Sequence, residues 1–256
     1  MKRLIVILAL IFSFGTGAYS QILYPPDSAP INVYDENGLK QGLWEENITG
    51  ALERGYFKDN QRDGTWITYH AEGFLQYLFT YKLGKLDGLH LSVDKRGYME
   101  KEAYYRNDRL HGRERIYVYA GRSLSDITWF DGQMHGLVVK YYEHNGKKQE
   151  ESTYNMGVKH GPSVWYNTEG QKLAEYVYEN GSLEGMQRTF YPDGTTRTEE
   201  YYRNNATEGE YHEFHANASV KVSGLNKAGK KEGEWKEFDE SGKVLKVTRY
   251  KDGVEK

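Results

Sequence analysis

The fold is decided by a short stretch, residues 64–84, which reads GTWITYHAEGFLQYLFTYKLG. Gly64, Gly73 and Gly84 divide it into two runs that are rich in Trp, Tyr, Phe, Thr and Ile. Those residue types favour β-strands, and a glycine between two such runs marks a reverse turn. The stretch therefore predicts one β-hairpin, with a strand on each side of Gly73.

The same arrangement recurs along the chain with a nearly constant period. Nine glycines equivalent to Gly64 follow one another at spacings of 22, 24, 24, 24, 25, 24, 24 and 24 residues. These anchor glycines are Gly42, Gly64, Gly88, Gly112, Gly136, Gly161, Gly185, Gly209 and Gly233. A single hairpin is at best marginally stable in water, so the units must stack. The sequence predicts an all-β fold, an elongated single-layer antiparallel sheet of about nine stacked ~24-residue hairpins over residues 31–256.

Two turn positions accompany each anchor. Four residues before it stands Gly, Asn or Asp, which enter the left-handed region at least cost, so a tight turn of constant length is predicted. These residues are Gly38, Asn60, Gly84, Asp108, Gly132, Gly157, Gly181, Asn205 and Gly229, and Gly253 opens a tenth unit. A second turn is predicted at the glycine nine residues after most anchors. Gly146 is displaced by one residue, and the eighth unit has Ala218 in this place.

Two aromatic columns flank the turns. One lies five residues after the anchors, from Tyr69 to Phe238, and the other lies directly before the tight turns, from Phe57 to Tyr250. Equivalent positions in successive hairpins are about 10 Å apart. We therefore expect rings of the two columns to alternate in a continuous ladder that replaces a buried core.

The pattern Gly-x-Trp-x-x-Tyr, a turn glycine, and then Tyr-x-x-Gly resembles the MORN repeat, specifically its bacterial variant. The clearest copies are residues 64–84 and 233–253, and His111-Gly112, His135-Gly136 and His160-Gly161 resemble the His-Gly pair of that repeat. The resemblance covers about residues 31–256 and implies a platform of hairpins rather than one activity. Related bacterial repeat proteins are often labelled as antitoxins of toxin–antitoxin pairs, so the resemblance also implies an antitoxin or immunity role as an alternative.

The N-terminus has the features of a cleavable signal peptide. Lys2 and Arg3 precede an apolar run from Leu4 to Phe14, which is too short to span a bilayer, and Ala18 and Ser20 suit a signal peptidase. We expect cleavage after Ser20 and a proline-rich tether over residues 21–30. The mature protein is then periplasmic or extracellular, with no transmembrane segment.

Composition narrows the possible partners. Without residues 1–20 the chain has 32 basic and 37 acidic residues, and no stripe of Lys and Arg stands out. This balance argues against nucleic acid as a partner. Cysteine is absent, which excludes thiol catalysis and thiolate metal sites.

No unit of the sequence brings catalytic or metal-binding groups together, so we expect no enzyme activity, cofactor or metal. His111, His135 and His160 occupy equivalent positions about 10 Å apart, too far for neighbours to share one zinc ion. We interpret them as residues that support the turns. The sequence also lacks a nucleophile elbow or a metalloprotease helix.

Recognition through a surface is the remaining function. A single-layer sheet cannot hide both faces, so we expect exposed aromatic side chains that bind a partner. The candidates are Trp44, Trp66, Trp165, Tyr211 and Trp235. The leading hypothesis is an exported scaffold that binds a protein partner or self-assembles as a homo-oligomer in the cell envelope. An alternative is a cell-wall polysaccharide binder that stacks sugars on the aromatic ladder.

Overall fold

The structure is a computed structural model that describes residues 30–48 and 50–256. The predicted signal peptide and all of the tether except Pro30 lie outside the described residues. The described part forms 21 strands and one short 3-10 helix, Tyr119–Gly121. The strands are β1 (Val33–Tyr34), β2 (Lys40–Ile48), β3 (Ala51–Lys58), β4 (Gln61–Tyr69), β5 (Leu75–Lys82), β6 (Lys85–Val93), β7 (Met99–Arg106), β8 (Arg109–Val118), β9 (Arg122–Phe130), β10 (Gln133–Tyr141), β11 (Lys148–Asn155), β12 (Val158–Tyr166), β13 (Lys172–Glu179), β14 (Ser182–Leu183), β15 (Gly185–Phe190), β16 (Thr196–Arg203), β17 (Ala206–Phe214), β18 (Val220–Lys227), β19 (Lys230–Phe238), β20 (Val244–Lys251) and β21 (Val254–Glu255).

Successive strands pair antiparallel, so the chain runs back and forth through one open sheet. The pairing continues in this way to β20 and β21. The one variation is β13, which pairs with both β14 and β15 because these two are pieces of one strand interrupted at Glu184. The predicted all-β antiparallel sheet of hairpins is confirmed.

The tight turns are two-residue type I′ turns. In the turn that joins β3 and β4, Asp59 has φ of 50° and Asn60 has φ of 62°. Both positive φ values match the right-handed twist of the flanking strands. The predicted left-handed residues are confirmed, but the residue before each of them is left-handed as well, for example Leu83 at 47°. Gly38 is different, since it closes a longer turn in which Asp35 N–H donates to the Leu39 carbonyl.

Each type I′ turn is hydrogen bonded to the hairpin before it. Gly84 N–H donates to the Arg62 carbonyl at 2.8 Å, and the equivalent bond recurs at every later turn of this kind. The residue directly before each anchor adds a second bond in most units. His111 and His160 each accept from the next turn through Nδ1 at 3.4 Å, as Asp63 does from Leu83 N–H at 3.0 Å. The interpretation of these two histidines as turn-supporting residues is confirmed.

The anchor glycines form β-bulges. On β4, Asp63 pairs with Tyr56 and Ile67 pairs with Arg54, so residues 64–66 face the single residue Gly55. All nine anchors have positive φ, between 71° and 123°, a conformation that glycine adopts without a Cβ penalty. The bulges therefore explain why glycine recurs at the anchors.

The second turns keep their geometry even where the sequence departs from glycine. Ala218 has φ of 65°, and its N–H donates to the His215 carbonyl at 2.9 Å, as Gly73 does to His70 at 2.8 Å. The two irregular spacings also have local causes. Only two residues separate the paired Ile48 and Ala51, which shortens the first unit, and the turn closed by Tyr142 N–H and the Lys147 carbonyl is one residue longer.

Candidate functional site

A recurring set of buried side chains lies at the position two residues after each anchor. We call this set the bulge column, and the face that carries it the core face. Its members are Trp44, Trp66, His90, Glu114, Val138, Ser163, Gln187, Tyr211 and Trp235. Seven of the nine are buried, and His90 and Tyr211 are half-buried. The sheet thus has a narrow core on one face.

Two tryptophans of the bulge column lie directly on glycine. A Cβ built on Gly55 would come within 2.2 Å of the Trp66 ring, and the same holds for Gly224 and Trp235. The indole ring therefore fills the space that a side chain at the glycine would occupy. Trp66 Nε1 donates to the Tyr56 carbonyl at 3.0 Å, and Trp235 Nε1 donates to the Leu225 carbonyl at 3.2 Å.

Gln187 performs the same hydrogen bonding without a ring. Its Nε2 donates to the Val177 carbonyl at 3.2 Å, and its Oε1 accepts from Val177 N–H at 2.7 Å. Val177 is the counterpart of Tyr56 and Leu225 in the repeat. The bulge column thus satisfies backbone groups that the bulge removes from the strand ladder.

The continuous aromatic ladder was a wrong prediction. Side chains alternate across a strand, so the column five residues after the anchors lies on the face opposite the bulge column. The rings before the type I′ turns lie opposite the anchors and contact the bulge column instead, as Phe57 does with Trp44 at 5.6 Å and Trp66 at 4.9 Å. Between the clusters near the two ends, the bulge column consists of Glu114, Val138, Ser163 and Gln187.

The predicted partner-binding aromatics differ in exposure. Trp44, Trp66 and Trp235 are only 4%, 1% and 6% exposed, so the expectation of exposed rings is wrong for them. Trp165 and Tyr211 are half-buried on the core face. Burial of Trp66 and Trp235 follows from the bulge, which lets each ring lie on a glycine of the preceding strand. Trp44 instead packs edge-on against the rings of Tyr34 and Phe57. Whether any of the five contacts a partner stays a prediction.

Basic side chains cover several of these rings. Arg62 lies 4.2 Å from the Trp66 centroid, and Lys40 and Lys231 lie 4.3 and 4.1 Å from Trp44 and Trp235. Arg62 also pairs with the buried carboxylate of Glu53 at 2.7 Å. These cations shield the indoles from solvent and supply counter-charge on the core face.

Two further buried carboxylates have cationic partners. Glu114 pairs with Lys101 at 2.7 Å and accepts from Trp129 Nε1 at 3.0 Å. Glu150 pairs with Lys159 at 2.6 Å and Lys140 at 3.0 Å. Glu53, Glu114 and Glu150 on the core face therefore each have a cationic partner, as buried charges require.

The last three units enclose an open groove of about 550 Å³ on the core face. Its lining includes Glu200, Tyr211, Asn226, Lys231, Trp235 and Tyr250. Tyr211 and Trp235 stack with ring centroids 5.2 Å apart, and Tyr250 meets Trp235 edge-on at 6.2 Å. We call this site the C-terminal groove. It contains two of the five predicted aromatics, which Gly224 and the strand pairing bring together.

Glu200 is the unusual residue of the C-terminal groove. It forms no ion pair with any described residue, and Asn226 Nδ2 donates to its Oε1 at 3.0 Å. Burial raises the pKa of Glu200, and a hydrogen bond from Tyr202 only partly opposes this shift. Burial and the nearby Glu200 together raise the pKa of Tyr202 to about 12. Sequence reasoning missed Glu200 because only the register shows that it faces Gln187 on the core face.

His90 is a polar residue of the bulge column that has no hydrogen-bond partner among the described residues. Both ring nitrogens are buried and form no hydrogen bond to described residues. The ring stacks on Phe79 at 4.4 Å and lies 5.9 Å from Tyr105. Burial lowers the pKa of His90, and Lys101 lowers it further, while Glu114 acts in the opposite direction.

Replacing His90 by phenylalanine is expected to remove part of the acid sensitivity of the protein. Because the folded pKa of His90 lies below the ordinary value of 6.5, its contribution to stability is complete above that pH and decreases as the pH falls. Each unit of pKa difference corresponds to about 1.4 kcal/mol. Urea denaturation between about pH 7.5 and about pH 5 should show a smaller loss of stability for His90→Phe than for wild type.

The matched control is His135→Phe, because His135 is exposed. Its acid response should equal that of wild type. An unchanged response in His90→Phe would show that His90 is not the group that titrates.

Among residues 30–48 and 50–256, no three His, Cys, Asp or Glu side chains are grouped as a metal ion would need. Over the same ranges, no helical segment combines the length and the apolar character that crossing a bilayer requires.

The fold and its repeated bulges define a β-hairpin repeat protein. Three segments of the chain, residues 135–156, 183–204 and 231–252, match the family described as MORN repeat variant. Each matched segment runs from just before an anchor glycine to the next type I′ turn and includes both strands of one unit. The match supports a non-enzymatic repeat protein. No curated protein matches the chain.

Proposed function

We propose that the protein is an exported, non-enzymatic scaffold that binds a protein partner in the cell envelope through the C-terminal groove. The observation that carries the proposal is Glu200, a half-buried carboxylate that forms no ion pair with any described residue and lines the same groove as the stacked rings of Tyr211 and Trp235. Export rests on the basic, apolar and small-residue pattern of residues 1–20. The match to a non-catalytic type of repeat supports the scaffold role.

The groove suits a basic side chain of a partner protein. A guanidinium or ammonium group placed at Glu200 would supply this carboxylate with a counter-charge that none of residues 30–48 and 50–256 provides. Half-buried Tyr211 would contact the aliphatic part of the same side chain. Interfaces commonly concentrate their binding energy at such aromatic and charged centres.

The stability of the free protein also supports a binding role for Glu200. Because burial raises its folded pKa, the carboxyl group contributes most when protonated, and the fold loses stability as the pH rises through that pKa. At neutral pH the ionised group is therefore unfavourable for folding. Residues that lower the stability of the fold but serve a function are common at functional sites.

The two alternatives fit the groove to different degrees. An antitoxin or immunity protein would use the same acidic groove against a basic surface of a toxin, so it is a special case of this proposal. A sugar-stacking platform needs free ring faces. Gly55 and Arg62 cover Trp66, and Gly224 and Lys231 cover Trp235, so the structure gives this role less support.

Glu200→Gln is expected to reduce partner capture from envelope extract by about tenfold while leaving the fold intact. The melting temperature at pH 7 should stay equal or rise, because the variant removes an unfavourable buried charge. Capture by the immobilised protein, quantified by mass spectrometry, and thermal denaturation measure the two effects.

The matched control is Glu199→Gln on the same strand. Glu199 points to the opposite face and pairs with Arg188 at 2.8 Å, so its variant should keep full capture. Equal capture by both variants would reject the groove as the binding site. A partner found only in cytosolic extract would contradict export.

A further inference from the structure

Four basic residues stand in a row at the type I′ turns of β5 to β8. We call Lys82, Lys85, Arg106 and Arg109 the cation row. Lys82 and Lys85 are direct cross-strand partners on either side of one turn, and Arg106 and Arg109 are partners on either side of the next. Since neighbouring strands lie about 4.8 Å apart, the row extends over roughly 14 Å.

We propose that the cation row binds a chain of phosphate groups. All four residues are exposed, and none forms an ion pair with a described residue. Strand alternation places all four side chains on the face opposite the bulge column. Lys82, Lys85 and Arg106 line an open groove of about 500 Å³ together with Asp87.

The arrangement is unfavourable for the free protein. Like charges directly opposite each other in adjacent strands are destabilising. Here two successive type I′ turns are each flanked by such a pair. The corresponding pairs of the next three hairpins are Phe130 with Gln133, Asn155 with Val158, and Glu179 with Ser182. Repeat geometry alone therefore does not require two cations at this position.

Nearby carboxylates are engaged in the turns themselves. Asp63 accepts from Leu83 N–H at 3.0 Å, Asp87 from Asn107 N–H at 3.3 Å, and Asp108 from Leu86 N–H at 2.7 Å. They hold the backbone at the turns, and within the described part of the chain the cation row has no ion-pair partner. An external anion is the remaining source of compensation.

Phosphate is the anion that this composition favours. Arginine presents a planar fork that matches phosphate oxygens, and lysine adds compact point charges. A linear ligand would contact both pairs at once, because the four residues lie on consecutive strands. A shorter run of Lys227, Lys230 and Lys251 lies at the C-terminal turns, and its three cations predict weaker binding.

The test is calorimetric titration of the purified protein with inorganic tripolyphosphate at low salt and at about 0.15 M salt. Saturable binding that weakens with salt is expected. The variant Lys85→Gln/Arg109→Gln removes one charge from each pair and should weaken binding by about tenfold or more. Its melting temperature without ligand should rise, because both repulsive pairs are removed.

The matched control is Lys95→Gln/Lys243→Gln, which changes charge equally at exposed residues of the second turns. It should bind tripolyphosphate as wild type does. Equal weakening in the two variants, or no saturable binding in wild type, would overturn the proposal. Binding to vesicles of anionic phospholipid without binding to tripolyphosphate would also overturn it and assign the row to a membrane surface instead.

Discussion

Replacing Gly55 by alanine is expected to destabilise the sheet by about 2–3 kcal/mol, the upper part of the range for overpacking a filled site. The new methyl group would fall 2.2 Å from the Trp66 ring, which already lies against the backbone of Gly55. The indole would have to move, and its Nε1 would lose the 3.0 Å bond to the Tyr56 carbonyl. Urea denaturation followed by tryptophan fluorescence measures the change in unfolding free energy.

A double-mutant cycle separates this clash from a general effect of the substitution. In a Trp66→Ala background, Gly55→Ala should cost less than about 0.5 kcal/mol, because nothing remains for the methyl group to meet. Gly224→Ala should reproduce the full effect against Trp235. If Gly55→Ala costs the same with and without the indole, the tryptophan does not occupy the space over this glycine.

Glu150→Gln is expected to destabilise the protein by about 2 kcal/mol. Glu150 is 2% exposed and binds Lys159, Lys140 and Ser152. The variant leaves both ammonium groups without their carboxylate. The value lies below the range for a fully buried pair because the Lys140 side chain is half exposed, which lets water screen it.

The same variant should change the pH dependence. Burial by itself raises the pKa of Glu150, but hydrogen bonds from Lys159, Ser152 and Lys140 outweigh it and hold the pKa below the ordinary 4.5. The stabilisation is therefore present above that pH and lost as the pH falls through the folded pKa. Glu150→Gln should flatten this part of an acid denaturation curve.

Glu175→Gln is the control for the Glu150 network. Glu175 pairs with Lys172 at 2.6 Å, but both side chains are more than a third exposed. Exposed pairs contribute about 0–1 kcal/mol, so this variant should remain close to wild type. Equal losses in the two variants would show that burial does not strengthen the Glu150 network.

Much of the fold followed from the period of the glycines. Their constant spacing required a constant turn, and aromatic runs between turns required strands, so the antiparallel sheet of hairpins could be predicted. The face of the sheet on which each side chain lies could not be predicted. The bulge at each anchor sets three residues against one, and this local shift decides that Trp66 is buried on Gly55.

The candidate sites depended on strand register, which the sequence showed only in part. Tyr211 and Trp235 were predicted from their place after the anchors, whereas Glu200 joins them only through the pairing of β16 with β17. The cation row did have a sequence signal. Successive predicted turns are flanked by Lys82 and Lys85 and then by Arg106 and Arg109. The turns separate these residues in sequence, so they do not form a contiguous basic stripe.

The hydrogen bonds from each type I′ turn to the hairpin before it give the array a direction. A unit that has already formed offers the carbonyl and side-chain acceptors onto which the next turn docks, as Arg62 and Asp63 do for residues 83 and 84. A polypeptide that emerges with its N-terminus first can therefore add hairpins in the order in which they appear, each on a finished template. We therefore expect loss of structure in the reverse order, because the last hairpin is the one on which no later turn of the array docks.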